Sequence, residues 1–295
     1  MVTQAMRQHQ KEGGGNPLVR LRVWDAVATL ATVWQRTLLD AVVAPQRFGA
    51  AMSQFRRVSD MMFHPGIPHL SLSQIPPAEE PLQMLSLTAN YGGMPPQDIY
   101  ALLRMVHWIR PKRMFEIGTF HGMTTAHLAL NSSAKIYTLD LPRELAADLR
   151  RYTPQDAALL QRREEIGKEY RPLNTNGRIQ QLFGDSTIFD YRPYHRSIDL
   201  VLVDACHQFD AVITDSRNAL KLLGEKGVVL WHDFGNSRDV TRALKRLAKE
   251  LPIFHIEGTW LAAYVKGLSM LPRLVGHTTT EAECNVVEAQ GGRSC

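Results

Sequence analysis

The chain has 295 residues, 44% of them hydrophobic, with a net charge of +5 and a pI of about 9.2. This length allows one substantial core with appended segments, and the interspersed charges, such as seven Lys or Arg against six Asp or Glu in residues 143–171, argue against a nucleic-acid partner. Three cysteines without CxxC or metal-ligand spacing exclude a disulfide framework and a cysteine-built zinc site, and they fit a reducing, cytoplasmic setting.

Residues 1–75 are predicted to form an N-terminal helical extension followed by a proline-rich connector. Charged residues interrupt the apolar stretch Leu18–Val43, and its longest uncharged part, Ala26–Gln35, is too short to span a bilayer. We therefore expect no transmembrane segment. The favoured interpretation is one or two amphipathic helices that pack on a second copy of the chain, giving a homo-oligomer, or on the main domain. A helix lying in the membrane interface is the alternative.

Helix and strand patterns alternate along the rest of the chain. A first helix is predicted to begin at Pro95 and Pro96, which suit a first helical turn, and to run to about Ile109. The predicted strands are Arg113–Gly118, Lys135–Leu141, Arg178–Gly184, Ile198–Ala205, Gly227–Phe234, Ile253–Glu257 and Leu261–Gly267. The other predicted helices are Gly122–Leu130, Glu144–Ile166, Phe209–Leu223 and Arg238–Glu250.

This alternation predicts an α/β fold with a doubly wound, mostly parallel, seven-stranded Rossmann-like sheet. The last two strands are separated only by Gly258–Trp260, so they must form an antiparallel hairpin. Residues 268–295 read as a loose C-terminal tail. Between the first strand and its helix, Gly118 and Gly122 mark a sharp turn of the kind that usually faces a ligand.

Five stretches follow one another as FEIGTFHG, YTLDL, LFGDS, IDLVLVDACHQFD and LLGEKGVVLWHDF. Their order and spacing resemble the motifs of class I S-adenosylmethionine-dependent methyltransferases, and most closely those of the small-molecule O-methyltransferases that include the macrolide-sugar and catechol enzymes. The resemblance extends over residues 81–267, within a predicted methyltransferase domain at residues 76–267. The GxxxG spacing, in place of GxGxxG, weakens a nicotinamide-binding interpretation.

The resemblance implies an S-adenosyl-L-methionine site at the strand ends, formed by Glu116, Gly118, Thr119, Gly122, Asp140, Leu141, Asp185, Ser186 and Asp204. Glu116 is expected to reach the cofactor's ammonium through water, and Asp140 to accept both ribose hydroxyls. Asp185 and Ser186 are expected to meet the adenine. The alternative for each carboxylate, above all for Asp185, is a helix N-cap.

The resemblance also implies a catalytic role for Asp204 and a metal site formed by Asp204, His232 and Asp233, which end two neighbouring strands. The pair His232–Asp233 departs from the family's acidic pair. Because imidazole is a poorer ligand for magnesium than a carboxylate, a divalent metal (Mg, Mn or Zn) remains one alternative and direct hydrogen bonding without an ion the other. His207 matches the position of the relatives' general base, and its alternative role is to cap the helix that follows.

These features predict a methyltransferase that transfers a methyl group from S-adenosyl-L-methionine to a hydroxyl of a small metabolite (a sugar, polyketide or phenol), as in natural product biosynthesis. Parts of the acceptor pocket are expected from Asn90–Gly93, the N-terminal helices and the insert Pro142–Asn176, whose Lys168, Tyr170 and Arg171 either contact the acceptor or lie on a solvated surface. The alternatives are a non-catalytic cofactor-binding or scaffold protein and a dinucleotide oxidoreductase.

Overall fold

The computed structural model describes residues 66–85, 93–145, 152–163, 165–174 and 176–267, together with Gly49 and Met52. The chain divides into two compact units, Met1–Val58 and Ser59–Cys295, and the described elements belong to the second. The predicted N-terminal helices, most of Asn90–Gly93 and the C-terminal tail lie outside the described residues. Within those ranges, no helix combines the length and the apolar character needed to cross a membrane.

In the described part of the chain, eight strands form one sheet in the order β1-β7-β8-β6-β5-β2-β3-β4. The strands are β1 (His69–Leu70), β2 (Arg113–Ile117), β3 (Lys135–Asp140), β4 (Ile179–Phe183), β5 (Ile198–Val203), β6 (Leu223–Trp231), β7 (Phe254–Ile256) and β8 (Ala262–Lys266). β8 runs antiparallel to β6 and β7, and the other neighbours are parallel. The predicted fold is therefore confirmed, with one strand more than expected.

The additional strand, β1, lies at the edge of the sheet beside β7. The backbone N–H groups of His255 and Glu257 donate to the carbonyls of Pro68 and Leu70 over 2.8 and 2.9 Å. These residues were expected in the connector, because a strand of two residues is too short to show the alternating pattern of a half-buried strand.

The described helices are α1 (Pro96–Ile109), α2 (Met123–Leu130), α3 (Pro154–Arg162), α4 (Phe209–Leu222) and α5 (Arg238–Leu247). Apolar residues of α1 and α2 pack against one face of the sheet, and those of α4 and α5 against the other. Successive residues of β5, such as Leu200 and Val201, alternate between the two cores. The sheet is thus covered on both faces, which leaves its strand ends as the place for a site.

The helix predicted over Glu144–Ile166 is shorter than expected. Leu141–Leu145 are not helical, and α3 begins only at Pro154, where the Thr153 hydroxyl accepts the N–H of Asp156 over 3.1 Å. A proline inside a helix would remove a hydrogen bond and clash with the preceding turn, whereas at the first helical position it does neither. The helix ends at Arg162, because Arg163 has an extended backbone.

Candidate functional site

The carboxyl ends of β2, β5 and β6 are level with one another. Ile117 pairs with Val203, and Val203 pairs with Trp231. The next residues along β5 and β6, Asp204 and His232, therefore emerge side by side at the same edge of the sheet, and the N–H of His232 donates to the carbonyl of Val203 over 3.1 Å. The register of the sheet brings together the cluster that the sequence predicted at this edge.

The two glycines of the β2–α2 loop are required by close packing within the chain. A Cβ on Gly118, whose φ is +104°, would lie 1.9 Å from the backbone oxygen of Asp204. A Cβ on Gly122, whose φ is +84°, would lie 2.6 Å from the ring of Tyr170. The close approach that the sequence indicated is therefore made to this chain's own atoms, and any larger side chain would push the β2 and β5 ends apart.

The insert between β3 and β4 covers this loop. The backbone N–H groups of Gly167 and Glu169 donate to the carbonyls of Phe120 and His121, each over 2.9 Å. Tyr170 is buried, and its hydroxyl donates to Gln181 Oε1 over 2.8 Å. Tyr170, which was expected either at the acceptor or on a solvated surface, is instead a core residue that holds the insert against the loop.

Glu116, in β2, is buried directly beneath the loop. Its Oε2 accepts hydrogen bonds from the hydroxyls of Thr125 and Thr138, and the Thr138 hydroxyl lies 2.6 Å from that of Thr119. Burial raises the pKa of Glu116 to about 8, against the opposing effect of the two hydroxyls. The carboxyl group is therefore mostly protonated at neutral pH.

Asp140 ends β3, where the sequence placed the acid for the ribose. Its Oδ2 accepts the N–H of Phe120 over 2.6 Å, and its Oδ1 accepts the N–H of Leu141 over 2.7 Å. Oδ1 also forms a 2.8 Å ion pair with Arg163, whose guanidinium is almost fully buried. Burial raises the pKa of Asp140 despite this positive neighbour. Arg163 was not predicted as a site residue; it is the residue directly after α3, and its side chain reaches Asp140.

Asp185 and Ser186 follow β4 and are engaged in hydrogen bonds with nearby side chains. Asp185 Oδ1 accepts the N–H and the hydroxyl of Thr187 over 2.9 and 2.6 Å, which closes a turn of the Asx type; residues 186–188 form a turn and not a helix, so Asp185 is not the helix N-cap given above as its alternative role. The Ser186 hydroxyl donates to Asp215 Oδ2 over 3.0 Å, and burial raises the pKa of Asp215 to about 7. Adenine binding by this pair would have to exchange some of these hydrogen bonds.

Asp204, His232 and Asp233 form a compact group whose candidate ligand atoms all lie within 4.8 Å of one another. His232 Nδ1 is 3.1 Å from Asp204 Oδ1 and 3.5 Å from Asp233 Oδ2. Donor atoms that share an ion at bond lengths of about 2.0–2.2 Å are separated by roughly 3–3.5 Å, so the three residues fit a divalent metal. Two carboxylates and one imidazole also form a donor set of the right chemistry.

Asp233 carries backbone strain. Its φ of +63° lies in the left-handed region, which is unfavourable for a residue with a Cβ. The turn is held by Asn236, whose side-chain amide donates to Asp233 Oδ1 over 2.6 Å and whose backbone N–H donates to the Asp233 carbonyl over 3.2 Å. Strain that the surrounding structure maintains in this way is concentrated at functional sites.

His207 is buried between two carboxylates. Its Nδ1 contacts Asp156, its backbone N–H donates to the same carboxylate over 3.2 Å, and its Nε2 lies 2.5 Å from Asp233 Oδ2. Burial alone would lower the pKa of His207, but the two carboxylates outweigh it and raise the pKa to about 10. The alternative role of His207 as a helix cap is wrong, because α4 is capped by the backbone of Gln208 without a side-chain bond.

His232 is similarly enclosed. Its Nε2 lies 3.0 Å from Oδ2 of Asp98, a fully buried residue in the first turn of α1. The carboxylates of Asp233 and Asp204 outweigh the effect of burial, which by itself would lower the pKa of His232, and hold it well above its ordinary value. Sequence reasoning missed both Asp98 and Asp156. An acid in the first turn of a helix is common for electrostatic reasons alone, so neither residue carried a distinguishing signal.

Residues 115–234 match the profile of a family described as a methyltransferase domain. The central part of this chain is therefore similar to a methyltransferase domain. The match contains every predicted site residue from Glu116 to Asp233, confirms the expected enzyme class and counts against the dinucleotide oxidoreductase. Asp98 lies outside the matched range, so the domain receives one of its buried carboxylates from the preceding helix.

Solved structures similar to this chain include three methyltransferases. The O-methyltransferase TomG from Streptomyces achromogenes, solved with SAM, is 19% identical, with 59% of this chain and 82% of that chain covered and a TM-score of 0.42. The SAH-bound methyltransferase PaMTH1 from Podospora anserina is 13% identical, with 59% of this chain and 80% of that chain covered and a TM-score of 0.45. An O-methyltransferase from Bacillus cereus, solved with SAH, is 17% identical, with 60% of this chain and 84% of that chain covered and a TM-score of 0.44. No protein of curated function matches the chain in sequence.

Proposed function

We propose that this protein is an S-adenosyl-L-methionine-dependent O-methyltransferase that acts on a hydroxyl of a small metabolite. The observation that carries the proposal is the cluster of Asp204, His207, His232 and Asp233 at the carboxyl edge of a methyltransferase domain. Transfer of a methyl group to an alcohol or phenol requires that the oxygen lose its proton and be held in line. Carboxylates and imidazoles at one sheet edge are suited to both tasks.

S-adenosyl-L-methionine would supply the methyl group, held by residues at the ends of β2, β3, β4 and β5. Those proposed are Glu116, Gly118, Thr119, Gly122, Asp140, Leu141, Asp185, Ser186 and Asp204. Gly118 lies against Asp204, so the β2–α2 loop and the reactive edge are in direct contact. The ribose hydroxyls would compete with Arg163 for Oδ1 of Asp140, and cofactor binding would therefore include the withdrawal of Arg163.

His207 is the proposed base. Asp156 binds both its backbone N–H and its Nδ1, which directs Nε2 toward the strand ends. Nε2 is in contact with Asp233, and with its raised pKa His207 carries a proton in this arrangement, so it can take a proton from an acceptor only after that contact opens and its own proton has left. A metal ion bound by Asp233 would compete with His207 for Oδ2 of Asp233, because the side-chain amide of Asn236 already donates to Oδ1.

A divalent metal (Mg, Mn or Zn) is the second part of the proposal. Asp204, His232 and Asp233 would hold it, and it would lower the pKa of an acceptor hydroxyl placed beside it. With or without the ion, Asp204 lies between the cofactor loop and His232, so it is placed to orient the acceptor oxygen.

One observation favours the alternative of a non-catalytic cofactor-binding or scaffold protein. The buried ion pair between Arg163 and Asp140 fills the expected ribose position, and a permanently occupied position would prevent catalysis. The proposed location is the cytoplasm, and the proposed assembly is a homo-oligomer formed through the N-terminal segment.

Two measurements test the function. Calorimetry with the full-length protein should detect binding of S-adenosylhomocysteine at micromolar strength and no binding of NAD. Incubation with S-adenosyl-L-methionine and hydroxylated sugars, polyketides and phenols should give a product heavier by one methylene, detected by mass spectrometry, and Asp204→Asn should lose it. Binding without any transfer across the acceptor panel would favour the scaffold. Binding of NAD in place of S-adenosylhomocysteine would overturn both interpretations.

A further inference from the structure

The buried contact between Asp98 and His232 joins two distant parts of the chain. Asp98 lies in α1, 134 residues from His232, and is fully buried. Its Oδ2 lies 3.0 Å from His232 Nε2, and its two oxygens lie 3.3 Å from the backbone nitrogen of Trp260. Removing a carboxylate from water costs free energy unless hydrogen bonds with its buried partners compensate for the lost hydration.

The contact decides which nitrogen of His232 faces the strand ends. When Nε2–H donates to Asp98, Nδ1 is the nitrogen that points between Asp204 and Asp233. Metal-binding histidines are held in this manner, with one ring N–H donated to a carboxylate and the other nitrogen left to bind the ion. The donated hydrogen bond fixes the ring orientation and makes the ligating nitrogen more basic.

We propose that Asp98 is a positioning residue that makes His232 a nitrogen ligand through Nδ1, and that the site formed with Asp204 and Asp233 prefers a divalent transition metal over magnesium. This inference rests on the metal site in the proposed function. Magnesium favours an all-oxygen, octahedral set, whereas zinc, manganese and cobalt accept imidazole together with carboxylates.

The test is calorimetric titration of the metal-free full-length protein with Zn²⁺, Mn²⁺ and Mg²⁺ separately. Zn²⁺ and Mn²⁺ should bind at least tenfold more tightly than Mg²⁺. Asp98→Asn preserves volume and an oxygen for the Trp260 N–H, and it should weaken Zn²⁺ and Mn²⁺ binding by about 10–100-fold, as is typical when the outer partner of a metal-bound histidine is lost. The control, Asp215→Asn, alters another buried carboxylate, which pairs with Ser186, and should leave metal affinity unchanged.

A second substitution separates positioning from a general structural role. His232→Asp replaces the imidazole with an oxygen ligand and should shift preference toward Mg²⁺. In that background Asp98→Asn should no longer weaken metal binding, because there is no imidazole left to position. A loss of affinity in both backgrounds would show that Asp98 only supports the fold and would overturn the proposal. If Asp98→Asn alone does not fold, the His232→Asp titration still tests the proposal, because an unchanged preference for Zn²⁺ over Mg²⁺ in that variant would overturn it.

Co²⁺ gives a signature independent of catalysis. The visible spectrum of the Co²⁺-loaded protein should change on His232→Asp, which removes a nitrogen ligand, and to a smaller extent on Asp98→Asn. An unchanged spectrum in both variants would overturn the assignment. If S-adenosylhomocysteine binds and methyl transfer occurs while none of the ions binds, the metal inference fails and the proposed methyltransferase function stands.

Discussion

The guanidinium of Arg163 lies 2.8 Å from Oδ1 of Asp140, in a position where both side chains are almost fully buried. The two residues are 23 positions apart and belong to different layers of the domain, since Asp140 ends β3 and Arg163 follows α3. A second guanidinium nitrogen of Arg163 donates to the carbonyl of Leu141 over 2.8 Å. The carboxylate expected to recognise a nucleoside is therefore satisfied within the chain.

Removing this competitor should strengthen cofactor binding. Arg163→Ala should increase the affinity for S-adenosylhomocysteine by roughly 10–100-fold, because a hydrogen bond to a charged group contributes about 1.5–3 kcal/mol and would no longer have to be broken. Calorimetry measures the change. The control is Arg171→Ala, which alters an exposed arginine of the same insert and should leave the affinity as in the unmodified protein. Weaker binding in Arg163→Ala would show that Arg163 helps to hold the cofactor.

Loss of the proposed base should affect methyl transfer and spare binding. His207→Ala should reduce the rate of transfer by about 10²–10⁴-fold, the usual contribution of positioned acid–base catalysis, while affinity for S-adenosylhomocysteine stays the same. Rates are measured by product formation at saturating cofactor. His195→Ala, at an exposed histidine, is the control and should keep the full rate. Full activity of His207→Ala would exclude it as the base.

Metal removal should stop the reaction if an ion activates the acceptor. Exhaustive treatment with EDTA should abolish turnover, and added Mn²⁺ or Zn²⁺ should restore it, because Asp204, His232 and Asp233 then bind an ion again. Binding of S-adenosylhomocysteine to the EDTA-treated protein is the control for an intact fold. Undiminished turnover in EDTA would leave the acceptor to His207 and the carboxylates alone.

The stability of the protein should depend on pH through Glu116. The pKa of this carboxyl is about 8 in the folded state and near 4.5 in the unfolded state, so between these values the folded state holds a proton that the unfolded state has lost. The free energy of unfolding should therefore fall as pH rises from about 5 to about 8. Urea titrations should show a steeper fall in the unmodified protein than in Glu116→Gln, in which the other groups of raised pKa, such as Asp215, still contribute. Parallel curves for the two proteins would contradict the assignment, and Glu79→Gln, at an exposed position, should follow the unmodified protein.

Much of the sheet could be predicted because buried parallel strands are short apolar runs that end at acids or glycines. The positions of Asp204, His232 and Asp233 followed from the same pattern, since parallel strands deliver their carboxyl ends to one edge. Their partners could not be predicted. Asp98 lies 134 residues from His232, and no local periodicity relates residues so distant along the chain. The helix predicted over Glu144–Ile166 was too long, because α3 begins only at Pro154, a residue that suits the first turn of a helix and not its interior.

Helix α3 is only nine residues long, about 14 Å from end to end, and such a short helix moves as one body. Asp156 in its first turn holds His207, and Arg163 just beyond its last turn holds Asp140. In the proposed function, withdrawal of Arg163 by an arriving nucleoside would therefore act on the segment that also supports the imidazole of His207. One short helix thus carries a support of the proposed base near one end and the competitor at the proposed ribose position near the other.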